Sequence, residues 1–185
     1  MKFGAVVALL TAFSASAQSP AEADVAFMKG MVSHHAQALV MSAMVPTHSS
    51  RKDMRLLAER IDVSQKDEIA MMQRWLREHA LDTVAWTGAA AHHDMPGMSM
   101  PTMPGMLSPE EMTALAALKG TAFDRRFLES MIRHHEGALT MVGQLTSRRN
   151  AAQDPQVFSF ASDVDADQRA EIARMRRVLK TLPKQ

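Results

Sequence analysis

Apolar residues recur along this chain with the period of a helix. Phe27, Met31, Ala38 and Met41 fall on the 3.6-residue repeat that gathers side chains onto one helix face. Leu57, Ile61, Ile69, Met72 and Leu76 do the same for a second segment. Start signals accompany the periods. Ser108-Pro109-Glu110-Glu111 combines an N-cap serine, a proline in the first turn and a glutamate able to close a capping box, and Asp154-Pro155 opens the last segment in the same manner. Ser19-Pro20-Ala21-Glu22 predicts the start of the first helix, and Ser50 with Asp53 that of the second. Pro46 is expected to end the first helix. Gly120 is expected to separate a short helix, roughly 109–119, from the long helix that carries His134.

The pattern is used twice. Phe27-Met28-Lys29-Gly30-Met31-Val32-Ser33-His34-His35-Ala36-Gln37-Ala38-Leu39-Val40-Met41 aligns without a gap on Phe127-Leu128-Glu129-Ser130-Met131-Ile132-Arg133-His134-His135-Glu136-Gly137-Ala138-Leu139-Thr140-Met141, with Asp24 and Asp124 extending the match. A second stretch repeats as well. Gln65, Glu68, Ile69, Met72 and Leu76 align with Gln168, Glu171, Ile172, Met175 and Leu179. Each half is thus a pair of helical segments. Short turns near residues 46–50 and 147–154 close two hairpins, and a long connection over about 80–107 joins them. The expected fold is all-α: a ferritin-like four-helix bundle made of two duplicated hairpins and one long Met-rich crossover. In domain terms this gives a bundle over 18–185, with repeat one at 19–79, the crossover at 80–107 and repeat two at 108–182.

Composition sharpens this picture. The chain has 185 residues, no cysteine, no tyrosine and seventeen methionines. Few aromatics argue for helices over a β-sandwich. Lys2, the apolar run Phe3 to Phe13 and the small-residue pattern Ala15-Ser16-Ala17 read as a signal peptide over 1–17, cleaved before Gln18. The run is too short to stay as an anchor. No cysteine follows it for lipid attachment, so a periplasmic or secreted protein with no membrane anchor is expected. The formal net charge of +1 includes Lys2. Nothing in that balance favours nucleic acid or anionic lipid.

Candidate chemistry lies in the paired histidines. His34 stands three residues after Met31 and seven before Met41, and His134 is placed likewise between Met131 and Met141. Each half therefore presents a Met-His-Met stripe, with His35 or His135 about 100° further round the helix. Phe27, Ala38 and Leu39 mark that side as core-facing, and Met72 and Met175 are candidates to face the stripes. Thioether sulfur is a soft neutral donor that suits Cu(I) and Ag(I), while imidazole suits copper in both oxidation states. In an oxidising compartment Met is a soft donor that survives where thiols do not. Methionine as ordinary core filler competes with this reading, but packing alone would accept Leu or Phe at several of the repeated positions.

The crossover adds a second constellation, His92, His93, Met95, Met98, Met100, Met103 and Met106, interleaved with Pro, Gly and Ser. Proline and glycine forbid a regular helix, so these methionines are not a core stripe. A loop crowded with thioethers can wrap a soft cation; an oxidation-scavenging linker is the alternative. His48 and His79, near helix ends, are expected to be solvated, as are the arginine clusters. Trp75 and Trp86 are expected to pack.

The doubled Phe-x3-Met-x2-His-His-x2-Ala-x2-Met motif, each followed by Gln-x2-Glu-Ile, resembles the domain of unknown function 305 (DUF305) family over roughly residues 24–182. The resemblance implies a helical bundle, often exported, and for the family's CopM-like members a periplasmic role in copper binding and resistance. It carries over to Met31, His34, His35 and Met41 and to Met131, His134, His135 and Met141; the Met-rich crossover is this chain's own feature. The expected function is a non-enzymatic protein that buffers or relays Cu(I), with Cu(II) or Ag(I) as further cargo. Its expected partners are the ion and another periplasmic copper carrier or efflux component. A b-type haem bundle with Met and His axial ligands, and a purely structural domain, are the alternatives. A di-iron oxidase would need Glu-x-x-His on two helices, which the sequence lacks.

Overall fold

Four of the helical segments have the same length. In a computed structural model, which describes residues 19–84 and 103–183, α1 (Glu22–His48), α2 (Lys52–Glu78), α4 (Gly120–Thr146) and α5 (Pro155–Thr181) each run for 27 residues. At 1.5 Å per residue each rod is about 40 Å long. The short α3 (Pro109–Ala116) precedes α4. All regular structure among the described residues is helical. The expected leader, Trp86, His92, His93, Met95, Met98 and Met100 lie outside the described residues.

α1 packs on α2 and α4 on α5, so each repeat is a hairpin; the hairpins meet mainly through α1 against α4, while α2 and α5 touch only lightly. The α1–α4 pair is antiparallel. Met31 shares an apolar cluster with Met141, Met41 shares another with Met131, and His34 stacks on His134 between them. The first cluster joins Phe27, Met28, Met31, Met72, Trp75, Met141 and Phe160. The second joins Met41, Met54, Ile61, Phe123, Phe127, Met131 and Met175. α1 is buried on several sides, including at Asp24, Gln37 and Ser42, because α2, α4 and the end of the crossover all cover it.

The helix starts at Ser108 and Asp154 are as the sequence predicts. Ser108 and Glu111 form a reciprocal capping box, and Asp154 accepts from the Gln156 and Val157 amides. The other two differ. α1 begins after Ala21 and α2 after Arg51, neither with a side-chain cap. Ser50 is not used; instead Ser49 Oγ accepts from the Arg51 amide, and Asp53 pairs with the Arg51 guanidinium. Nor does Pro46 stop α1, which continues to His48. So near the end, the missing amide costs one hydrogen bond, and the last turn closes around it. Gly120 does mark the break, at φ 58° as the first residue of α4.

The far end of the crossover is strapped across α1 and α4. Gln37 Nε2 donates to the Leu107 carbonyl (2.9 Å) and Gln37 Oε1 accepts from the Leu107 amide (2.8 Å). Gly105, at φ 77°, and Gly137 let the two backbones touch. A Cβ on Gly137 would lie 1.9 Å from the Pro104 carbonyl oxygen. At the other end of α1, Asp24 Oδ1 accepts from the Ala152 amide at 2.6 Å and ties the α4–α5 turn to α1.

Two substitutions on α4 therefore have opposite expected outcomes. Gly137→Ala lifts the strap and should lower the unfolding free energy by roughly 1–3 kcal/mol. Gly143→Ala, where an added Cβ meets nothing within 4 Å, should raise it by about 0.5–1 kcal/mol. Urea unfolding midpoints of the two variants check both signs.

Candidate metal centre

The core-facing period of α1 and α4 carries both histidines of each pair inward. His34, His35, His134 and His135 all have zero exposure. The antiparallel crossing puts them at one level, between the two apolar clusters. His34 and His134 stack with ring centroids 3.8 Å apart and planes tilted by 36°. His35 and His135 sit further out, 6.3 and 6.2 Å from their chain neighbours. Here they meet the second helix of each hairpin: His35 Nε2 bonds Glu68 Oε2, and His135 Nε2 bonds Glu171 Oε2 at 2.7 Å. His34 Nε2 donates to the Pro104 carbonyl at 3.0 Å. Gln65 and Gln168, one turn before the glutamates, are also buried in full.

The rings of this layer are fully buried, and its electrostatics follow from that. Burial, then the neighbouring His35, pushes the His34 imidazole down to about 3. Burial, then His34, holds His134 well below its ordinary value. Both rings are therefore neutral, with a lone pair each. Burial pushes Glu68 up, but the hydrogen bonds it accepts from His35 and Ser64 outweigh that, so Glu68 ends below the ordinary carboxylate value. Glu171 also borders a groove of about 430 Å³ between α2 and α5, beside Arg60, Ser64 and Asp167. Burial, then Glu68 and Glu171, raises Asp167. The carboxylate side of the layer is thus the side that faces water.

The predicted thioethers lie on either side of the imidazoles. Met31, Met72 and Met141 belong to the first apolar cluster, and Met41, Met131 and Met175 to the second. The stripe drawn along one helix is therefore divided, and each cluster takes methionines from both repeats. Of the crossover methionines, Met103 is half-buried against the first cluster, and a Cβ on Gly30 of α1 would lie 3.7 Å from its sulfur and 3.4 Å from Met141 Cε. Met106, also half-buried, follows in the strap. Among the described residues no three His, Asp or Glu side chains are already arranged to hold a metal ion. A cation in this layer would need sulfur donors as well, or a rotation of the rings.

Glu68 and Glu171 are the residues that sequence reasoning left out of the site. Their signal was present, since both repeat with the Gln-x2-Glu-Ile segment, on the face of Ile61, Ile69 and Met72. His48 and His79, expected to be solvated, are half-buried and engaged. His48 bridges the Met44 and Ala116 carbonyls and packs on Phe123; His79 stacks on Trp75 and bonds its carbonyl. Each anchors a helix end, where unpaired carbonyls attract N–H donors.

The family model described as domain of unknown function (DUF305) matches residues 24–179. No curated protein matches the chain significantly. A DUF305 fragment from Deinococcus radiodurans superposes with a TM-score of 0.74 at 30% identity, covering 89% of this chain and 100% of that one. A DUF305 protein from Streptomyces coelicolor follows at 0.71 and 28%, covering 85% and 92%. CopM in its Cu(II)-bound form superposes at 0.65 and 26%, covering 85% and 95%. No helix of the described residues is long and apolar enough to cross a membrane.

The neutral His34 gives the metal-free protein a defined acid sensitivity. Its value is about 3 when folded against 6.5 ordinarily, so the unfolded chain takes up the proton first as pH falls. Stability is full above about pH 6.5 and declines toward pH 3, and the depressed Glu68 acts with the same sign at lower pH. The expected loss from His34 is about 3 kcal/mol by pH 4. Guanidinium midpoints at pH 7 and pH 4 measure it, and an unchanged midpoint would contradict the buried neutral ring.

Proposed function

The chain belongs to the DUF305 family, and from that premise we propose that it is an exported, non-enzymatic copper-binding protein that buffers or relays Cu(I) in copper homeostasis or resistance. Cu(II) and Ag(I) are further cargo. The observation that carries this reading is the level of four buried imidazoles between two methionine-bearing clusters. Neutral imidazole and thioether together suit a soft monovalent ion, which asks for little compensating charge. The same imidazoles, with two carboxylates beside them, also suit Cu(II). The likeness to CopM, solved with Cu(II) bound, supports a copper role by resemblance.

The donor set fits the cargo on a structural observation. All four Nδ1 atoms, and Nε2 of His134, are buried without a hydrogen-bond partner. An unpaired buried polar atom costs about 1–3 kcal/mol, and a purely structural layer would have no return for carrying several. Met31, Met141 and Met103 are the sulfur donors on the first-cluster side, and Met131 and Met41 on the other. The crossover ligands His92, His93, Met95, Met98 and Met100 would capture the ion from solvent or from a periplasmic carrier or efflux component and pass it inward past Met103.

The test is anaerobic titration of the metal-free protein with Cu(I) in competition with a coloured chelator. Native protein should compete at micromolar concentration; absence of competition removes the reading. Replacing His34 and His134 together by Leu should weaken the tightest site by at least roughly tenfold while leaving the helical circular dichroism in place.

A further inference from the structure

Three of the four buried imidazoles are held by partners that can only accept. Glu68 and Glu171 meet Nε2 of His35 and His135, and the Pro104 carbonyl meets Nε2 of His34. A carbonyl or an ionised carboxylate has no proton to give, so in each ring the hydrogen sits on Nε2. The other nitrogen of a neutral ring then carries the lone pair. That atom, Nδ1, has no partner in any of the four histidines, although all four are buried. Where histidine binds a metal, its second nitrogen is commonly held by a carboxylate or a backbone carbonyl, which fixes the tautomer and makes the ring more basic.

We infer that Glu68, Glu171 and the Pro104 carbonyl are positioning groups, which lock three imidazoles in the Nε2–H tautomer so that the layer offers Nδ1 to the cation. This rests on the copper-binding reading and adds to it which atom of each ring binds and which residues, outside the Met/His set, prepare it. The two glutamates do more than orient. Both are largely buried, with side-chain exposures of 14% and 6%, and their negative charge lies one ring away from the bound ion. The strap contributes through Pro104, which links the crossover to the ring of His34.

Long-range ¹H–¹⁵N correlation spectra of the histidine-labelled full chain, without metal and then with Ag(I), test this. In the metal-free spectra at pH 7.5, His34, His35 and His135 should show a protonated Nε2 and an unprotonated Nδ1. Ag(I) should then move Nδ1 resonances. Nδ1–H tautomers or doubly protonated rings at His35 and His135 overturn the assignment and leave copper binding untouched. So does Ag(I) binding that moves no Nδ1. Failure to bind Ag(I) or Cu(I) at all overturns the functional reading itself, while the metal-free spectra still decide the tautomer.

Glu68→Leu removes the acceptor and should mix the tautomers of His35 alone, with His135 as the internal control. Glu68→Gln keeps an acceptor oxygen and sheds the charge. It should retain the tautomer and weaken binding by roughly tenfold. Equal tautomer mixing at both rings in Glu68→Leu would show a general loosening and overturn the positioning role.

Discussion

Burying four imidazoles at mid-height of a helical bundle is the constraint around which this protein is arranged. An imidazole brings two polar nitrogens into the core, and each must be paired or left at a cost. The chain pairs three of those eight nitrogens with groups delivered from three places, and leaves five unpaired. Glu68 comes from α2, Glu171 from α5 and the Pro104 carbonyl from the crossover. Those deliveries fix the register of each hairpin, since a shift of one residue along α2 would swing Glu68 about 100° away from His35. The antiparallel crossing of α1 and α4 then brings His34 over His134. The apolar clusters then fill the two ends.

Duplication supplies the layer, and one departure from it supplies the strap. Position 37 of the first repeat aligns with position 137 of the second, and the two residues differ in kind. Gln37 clamps the Leu107 backbone with both ends of its amide. Gly137 has no side chain because the Pro104 carbonyl occupies the space. With glutamine at both positions the crossover would be blocked from α4, and with glycine at both it would lose its hydrogen bonds to α1. A similar asymmetry holds at the helix starts, where Asp24 ties down the Ala152 amide while its mate Asp124 is buried with one oxygen unpaired.

Much of this was legible in the sequence, for reasons that can be named. The helices are long and strongly periodic, and Ser108 and Asp154 are caps with proline behind them, so element type and order could be read directly. The inward turn of at least one histidine per pair followed from its place on the apolar period; the full burial of both is a finding of the fold. The starts of α1 and α2 were misplaced because a serine near a helix start is a cap only if its backbone is the last non-helical residue, and here Ala21 and Arg51 hold that position. Glu68 entered the sequence reading only as a position of the repeat, although it stands seven residues after Ile61 and four before Met72 on the apolar face. Its burial depends on His35 approaching from another helix, which no local pattern encodes.

The division of the methionine stripe changes what the duplication means. Read along the chain, the two Met-His-His-Met motifs look like two equivalent sites, one per repeat. In the fold, the cluster on one side of the imidazoles takes Met31 and Met72 from the first repeat and Met141 from the second, and the other takes Met131 and Met175 with Met41. Any donor set that joins a sulfur of either cluster to the His34–His134 stack can therefore draw on both repeats. A single hairpin carries two imidazoles and its own methionines but cannot bring Met31 to Met141, nor one ring over the other. On the proposed copper-binding reading the unit of function is the pair of hairpins, and the motif positions that the two repeats share line one imidazole layer from two sides.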